Sequence, residues 1–236
     1  MRQIDLDTPA TSPTRQPARP RLRRRLAFTL VGALAAGAAV VGVPLYERAT
    51  VVDVPLHEQA GSKPLNSSAL ASWTASPTHV DTSKGSGAAT LKRCLDTMDG
   101  DDGPATITNA DLRGKVTSMV IRRGGTNVLC YVAPENGVTW MQIGDTKPVA
   151  PDVITYETGS AIGADPDIFN QATGLAGSDV RSVTMTAQGR TFEVIVENGR
   201  WTAWWPGSPE DKGGVLDTAT LTFTDGTTRT IPGPSL

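Results

Sequence analysis

The chain has 236 residues and a mass of 24.8 kDa, with 22 basic against 24 acidic side chains. This near balance conceals a split, because residues 1–46 hold seven Arg and two Asp while the remainder carries 15 basic and 22 acidic side chains. No basic stripe remains outside the short N-terminal segment, so the composition excludes a nucleic-acid-binding protein. Aromatic residues make up only 5% of the chain beside 24 Gly and 17 Pro, which predicts a turn-rich folded part.

The N-terminal region predicts a membrane anchor. Residues 1–25 form a basic, polar tail that we expect to be disordered. Residues 26–46 carry no charged side chain, and a helix of that length spans about 30 Å, the thickness of a bilayer core. Because five Arg lie between Arg19 and Arg25, the positive-inside rule predicts a cytoplasmic N-terminus and an extracytoplasmic C-terminal part.

A cleaved signal peptide is the alternative to this anchor. A basic start, an apolar stretch and small residues such as Ala33 and Ala35 fit that interpretation too. The apolar run continues as far as Tyr46, which is long for a cleavage region and favours the uncleaved anchor.

The next segments predict a linker and then a helix. Residues 47–86 are rich in Ser, Thr, Ala, Pro and Gly, and they predict a stalk on which Trp73 is the one large aromatic residue available to dock on a folded domain. In residues 87–98, four apolar side chains recur with helical spacing and predict a short amphipathic helix. These side chains are those of Leu91, Cys94, Leu95 and Met98.

The rest of the chain predicts strands and tight turns. Gly in the turns at 124–125, 136–137, 188–189, 198–199 and 225–226 allows the positive φ that short hairpins need. Asp165-Pro166-Asp167 predicts the start of a short helix that Gly174 ends. The predicted strands are Val116–Arg122, Val128–Ala133, Val138–Ile143, Val180–Ala187, Thr191–Glu197, Arg200–Trp205, Ala219–Thr224 and Thr227–Ile231.

An internal repeat underlies these strands. Leu112-Arg113-Gly114 and the residues that follow it match Leu175-Ala176-Gly177 and its following residues at an offset of about 63, as far as the two Glu-Asn-Gly turns. The fold class is therefore mainly β, with two β-meanders packed in a sandwich-like way, one or two short helices and a preceding transmembrane helix. The extracytoplasmic domain spans residues 87–236, with related halves at about 87–160 and 165–236.

Cys94 and Cys130 are the only cysteines, and both follow the predicted anchor. An even number in an oxidising compartment favours a disulfide, which contributes about 4 kcal/mol in the chain-entropy model. A redox pair or an intermolecular link is the alternative.

Three of the five tryptophans fall within five residues. On a strand, Trp201 and Trp205 share one face and Trp204 faces the other way. The simpler interpretation is an aromatic core. The alternative is a binding surface, centred on Trp204, for a sugar ring or a protein partner.

The folded region offers little catalytic chemistry. The two histidines, His57 and His79, both lie in the predicted stalk, so no Ser-His-Asp or Cys-His pair is expected in the domain. The acidic run from Asp96 to Asp102 lacks the loop pattern and closing Glu of a calcium site. We therefore expect no catalytic residues, no metal and no cofactor.

The run from Gly174 to Thr184, followed by Glu197 to Pro206 with its Ala-Trp-Trp-Pro ending, resembles the C-terminal part of uncharacterised actinobacterial single-pass membrane proteins. Some of these are similar in layout to membrane partners of extracytoplasmic-function sigma factors. The resemblance implies a single-pass protein of the cell envelope.

These observations favour a membrane-anchored extracytoplasmic binding or sensory module without catalysis, whose partner is cell-wall glycan or an envelope protein. The alternative is an accessory subunit that docks on another membrane protein, or a regulatory partner in a sigma-factor-linked pathway. An envelope hydrolase is the least favoured function.

Overall fold

A computed structural model of the protein describes residues 64–98, 103–135, 137–211 and 213–233. Across these residues the fold is mainly β, as predicted, with two short helices and two antiparallel sheets. In chain order the elements are α1 Ser67–Leu70, β1 Thr78–His79, α2 Gly85–Asp96, β2 Thr106–Arg113, β3 Val116–Arg123, β4 Thr126–Val132, β5 Val138–Ile143, β6 Thr158–Ile162, β7 Phe169–Leu175, β8 Val180–Ala187, β9 Arg190–Glu197, β10 Arg200–Pro206, β11 Thr218–Phe223 and β12 Thr228–Pro232.

The predicted anchor is not part of this description. Residues 26–46, the basic tail and the first part of the predicted stalk all lie outside the described residues. Neither α1 nor α2, the helices of the described part, is long and apolar enough to cross a membrane. The single-pass topology therefore stays a prediction.

The first sheet has five strands in the order β1-β2-β3-β4-β5, and it is buried on both faces. On β3 every residue from Val116 to Ile121 is buried. Val120, Leu129 and Tyr131 face the second sheet. The opposite face is covered by α2. The sequence predicted this helix at residues 87–98, and it begins and ends two residues earlier.

The second sheet has seven strands in the order β12-β11-β8-β9-β10-β7-β6. Buried and more exposed residues alternate along its outer strands. One face of the sheet therefore packs in an apolar core, and the other face is open to solvent. The solvent face is built mainly from hydroxyl side chains, which suit a half-exposed pleated surface. They are Ser182, Thr184, Thr186, Thr218, Thr220, Thr222, Thr228 and Thr230.

The two predicted meanders are present, since β3-β4-β5 and β8-β9-β10 each pair in chain order. The strands that precede them differ. β2 pairs with β3, whereas β7 pairs with β10, at the far end of its meander. The space beside β8 is taken instead by β11, which extends the second sheet.

The hairpin turns form as the sequence predicts. Gln188 and Gly189 have φ of 51° and 73°, and Asn198 and Gly199 have 49° and 74°. Positive φ at both central residues is the geometry that matches the twist of paired strands. These turns fix the register of β8, β9 and β10.

The helix predicted after Asp165-Pro166-Asp167 is wrong. Residues Phe169–Leu175 form strand β7, which pairs with β10 over its whole length and with β6 on the other side. The start signal for a helix is local, whereas two flanking strands satisfy the backbone groups of this segment by pairing.

The predicted stalk is also wrong for residues 64–86. Leu65, Ala69 and Leu70 are buried between the sheets. A Cβ on Gly114, at φ of 61°, would lie 1.9 Å from the carbonyl oxygen of Ser72, so the chain passes directly against the β2–β3 turn. The segment belongs to the domain although its sequence shows little periodicity.

Candidate functional site: a groove beside α2

The three clustered tryptophans are all buried, which overturns the predicted binding surface at Trp204. Strand alternation placed them on the correct faces, since Trp201 and Trp205 lie in the core of the seven-stranded sheet. Trp204 faces the other way, as predicted, but it is 1% exposed. The five-stranded sheet and the segment preceding Trp73 cover that face, where solvent was expected.

The contacts of Trp204 are those of a core residue. Its ring meets Tyr131 and Phe169 edge to face, with ring centroids 6.3 and 6.1 Å apart. The indole nitrogen of Trp73 donates to the carbonyl oxygen of Trp204 at 2.9 Å, which confirms that Trp73 docks on the domain. Trp201, Trp204 and Trp205 therefore do not form an open surface for a ligand.

The predicted disulfide between Cys94 and Cys130 is confirmed, and it joins α2 to β4. Both cysteines are fully buried and lie in the cluster that also holds Met119 and Val128. The bond holds the helix against the outer face of the five-stranded sheet.

An open groove of about 650 Å³ lies beside the bonded helix. Its lining includes Ala88, Leu91, Leu95 and Met98, which are half-buried and thus partly open to solvent. Arg123, at the end of β3, also lines the groove. The amphipathic pattern identified three of these residues as an apolar face, but it did not indicate that the sheet leaves that face partly uncovered.

The charges at this groove are largely engaged with the protein itself. Lys92 and Asp96 form an exposed ion pair at 2.7 Å, one helical turn apart. Arg123 Nε donates to the carbonyl oxygen of Gly103 at 3.1 Å. The uncharged part of the lining is mainly apolar and consists of Ala88, Leu91, Leu95 and Met98 together with Thr82.

A second hollow of about 590 Å³ is lined by turn and strand-end residues, among them 146–149 and 196–199. Glu197 is one of its few charged residues, and its carboxylate accepts a hydrogen bond from the backbone of Asn109 at 2.6 Å. Its lining is partly apolar, through Ala176, Val180 and Val196. The groove beside α2 is the better candidate site because the disulfide fixes one of its walls.

A buried charge pair joins β2 to its surroundings. Arg113 Nε donates to Asp111 at 3.1 Å, and its other nitrogens donate to the carbonyl oxygens of Thr74, Ala75 and Glu193. Burial raises the pKa of Asp111 and lowers that of Arg113, against the attraction between the two. The pair links the two sheets and the segment after α1, and its role is structural.

The residues considered for catalysis are dispersed. His79 is exposed on β1, and His57 lies outside the described residues. Asp96 is exposed, while the acidic positions 99–102 are not described. Within the described part of the chain, no three His, Cys, Asp or Glu side chains come together to hold a metal ion.

No protein-family model, curated protein or solved structure matches this chain. The resemblance to actinobacterial single-pass proteins stays a prediction.

Proposed function

We propose that the protein is a membrane-anchored extracytoplasmic binding or sensory module of the cell envelope, and that it acts without catalysis. The disulfide supports the compartment, because such bonds persist where the environment is oxidising. The basic residues before the apolar segment 26–46 support the same orientation.

The single observation that carries a binding function is the groove beside α2. Cys94 lies on the same helix as Leu91 and Leu95, so the disulfide holds one wall of the groove in place. A wall that is fixed before binding lowers the ordering cost that a partner has to overcome.

The chemistry of the groove favours a protein partner. Binding of a sugar ring at the tryptophan cluster requires an exposed indole, and the three clustered tryptophans are buried. The half-buried lining of Leu91, Leu95 and Met98 suits aliphatic side chains. This favours an accessory module that docks on an envelope protein over one that binds cell-wall glycan.

A photo-crosslinking experiment tests this proposal. A photoreactive phenylalanine derivative replaces Ala88, which lines the groove, in the full chain expressed in its native envelope. The matched control places the same residue at Ala89, which is exposed on the same helix and does not line the groove. We expect a crosslinked protein from position 88 and none from position 89.

Purified peptidoglycan sacculi provide the competing test. If the full chain pellets with sacculi, and Ala88→Arg abolishes pelleting while Ala89→Arg does not, the partner is glycan and the protein-partner proposal is wrong. If neither crosslinking nor pelleting differs between position 88 and position 89, the groove is not the binding site.

A further inference from the structure

The face of β10 that meets the five-stranded sheet carries a row of polar atoms without partners. Arg200, Thr202 and Trp204 alternate along this face, and each is at most 3% exposed. Within the described part of the chain, Arg200 Nε, Thr202 Oγ1 and Trp204 Nε1 make no hydrogen bond. These three groups can donate a hydrogen bond along one side of the space between the sheets.

Three buried oxygens without partners lie next to this row. Asn109 Oδ1 belongs to a side chain whose amide nitrogen donates to the carbonyl oxygen of Arg200 at 3.1 Å. Gln171 Oε1 belongs to the residue that pairs directly with Trp204 across the sheet. The third oxygen is the Tyr131 hydroxyl, whose ring packs against Trp204.

The two tryptophans on the opposite face of the same strand do have hydrogen-bond partners. Trp201 Nε1 donates to the carbonyl oxygen of Thr155, and Trp205 Nε1 donates to Gln188 Oε1, each at 2.9 Å. In native proteins roughly 90% or more of buried polar groups have a partner, which is either protein or ordered water. A set of neighbouring unpartnered donors and acceptors on one face is therefore the pattern expected of a hydrated interior.

We propose that a file of buried water molecules runs along β10 between the two sheets. Successive inward-facing residues of a strand are about 6.6–6.8 Å apart along the backbone, and the three polar atoms make no hydrogen bond with one another. One water between two such groups reaches both. Thr202 is the smallest of the three side chains and lies between Arg200 and Trp204 in the row.

A pair of isosteric substitutions in the full chain tests this proposal. Thr202→Val removes the hydroxyl, and Tyr131→Phe removes the hydroxyl on the opposing sheet. If waters bridge these groups, each change leaves a bridging water short of a partner and lowers the folding equilibrium constant by about tenfold in urea titrations. If the space is dry, each change removes an unpaired polar group, and the constant stays equal or rises.

Thr184→Val is the matched control, because Thr184 lies half-exposed on the solvent face of β8. Its folding equilibrium constant should change by less than about twofold. A crystal structure of the full chain gives the direct test. Density for ordered water within hydrogen-bond distance of Thr202 Oγ1 and Trp204 Nε1 supports the proposal, and its absence at both atoms overturns it.

Discussion

The two sheets of this domain bury their surfaces in different ways. The seven-stranded sheet builds an apolar core from its own strands and the loops around Ile154 and Leu216, and it turns a threonine-rich face to solvent. The five-stranded sheet is buried on both faces and relies on other elements to cover it, namely the second sheet on one side and α2 on the other. Because α2 covers its side incompletely, the partly open apolar groove lies beside this helix, at the five-stranded sheet.

The largest expected effects come from the tryptophans on the two faces of β10. We expect Trp201→Ala and Trp204→Ala each to lower the free energy of unfolding by about 3–5 kcal/mol, because both remove a large side chain that is at most 1% exposed. Urea titrations of the two variants give the comparison. A Trp204 variant that loses less than about 1 kcal/mol would contradict the inter-sheet core described above.

Removal of the disulfide should affect the two sheets to different extents. We expect Cys130→Ala to cost about 2–5 kcal/mol, the usual range for a small secreted domain. Because Cys94 ties α2 to β4, amide exchange should rise first in α2, while the core around Trp201 stays protected. Equal loss of protection in β8 and α2 would show that the two regions are not independent in this way.

A smaller effect is expected at alkaline pH. Burial raises the pKa of Tyr156 to about 12 and that of Tyr131 well above its usual value. An unfolded tyrosine ionises near pH 10, so the stability that each neutral ring contributes is present below that pH and is lost as the pH rises toward the folded-state pKa.

Tyr156→Phe should therefore flatten the decline of the free energy of unfolding above pH 10. Tyr156 packs at the edge of the seven-stranded core, whereas Tyr131 lies between the sheets, so the two Phe variants report on different regions. Urea titrations at several pH values measure both slopes. An unchanged slope in Tyr156→Phe would contradict the raised pKa.

Local patterns in the sequence predicted much of this fold. Positive φ at Gly189 and Gly199 follows from their place in two-residue turns, and period-two alternation assigned Trp204 to the correct face of β10. The sequence predicted the groove lining only as the apolar face of α2. It did not predict that this face stays half-exposed, because that depends on how much of the helix the sheet covers.

Features that depend on distant partners were not predictable. Burial of Trp204 depends on a second sheet that alternation alone does not reveal. The strand Phe169–Leu175 forms because β6 and β10 flank it, against a local helix signal. The buried pair of Asp111 and Arg113 shares one face of β2, but nothing in the sequence shows that this face is enclosed.

The oxidation state of Cys94 and Cys130 in the native envelope tests the proposed compartment most directly. Cells that make the full chain are quenched with acid, denatured, and alkylated with one reagent before reduction and a heavier reagent after it. We expect both cysteines to carry only the heavier label, because an extracytoplasmic domain keeps the bond that joins α2 to β4. Two cysteines that carry the first label would place the domain in a reducing compartment and contradict the proposed function.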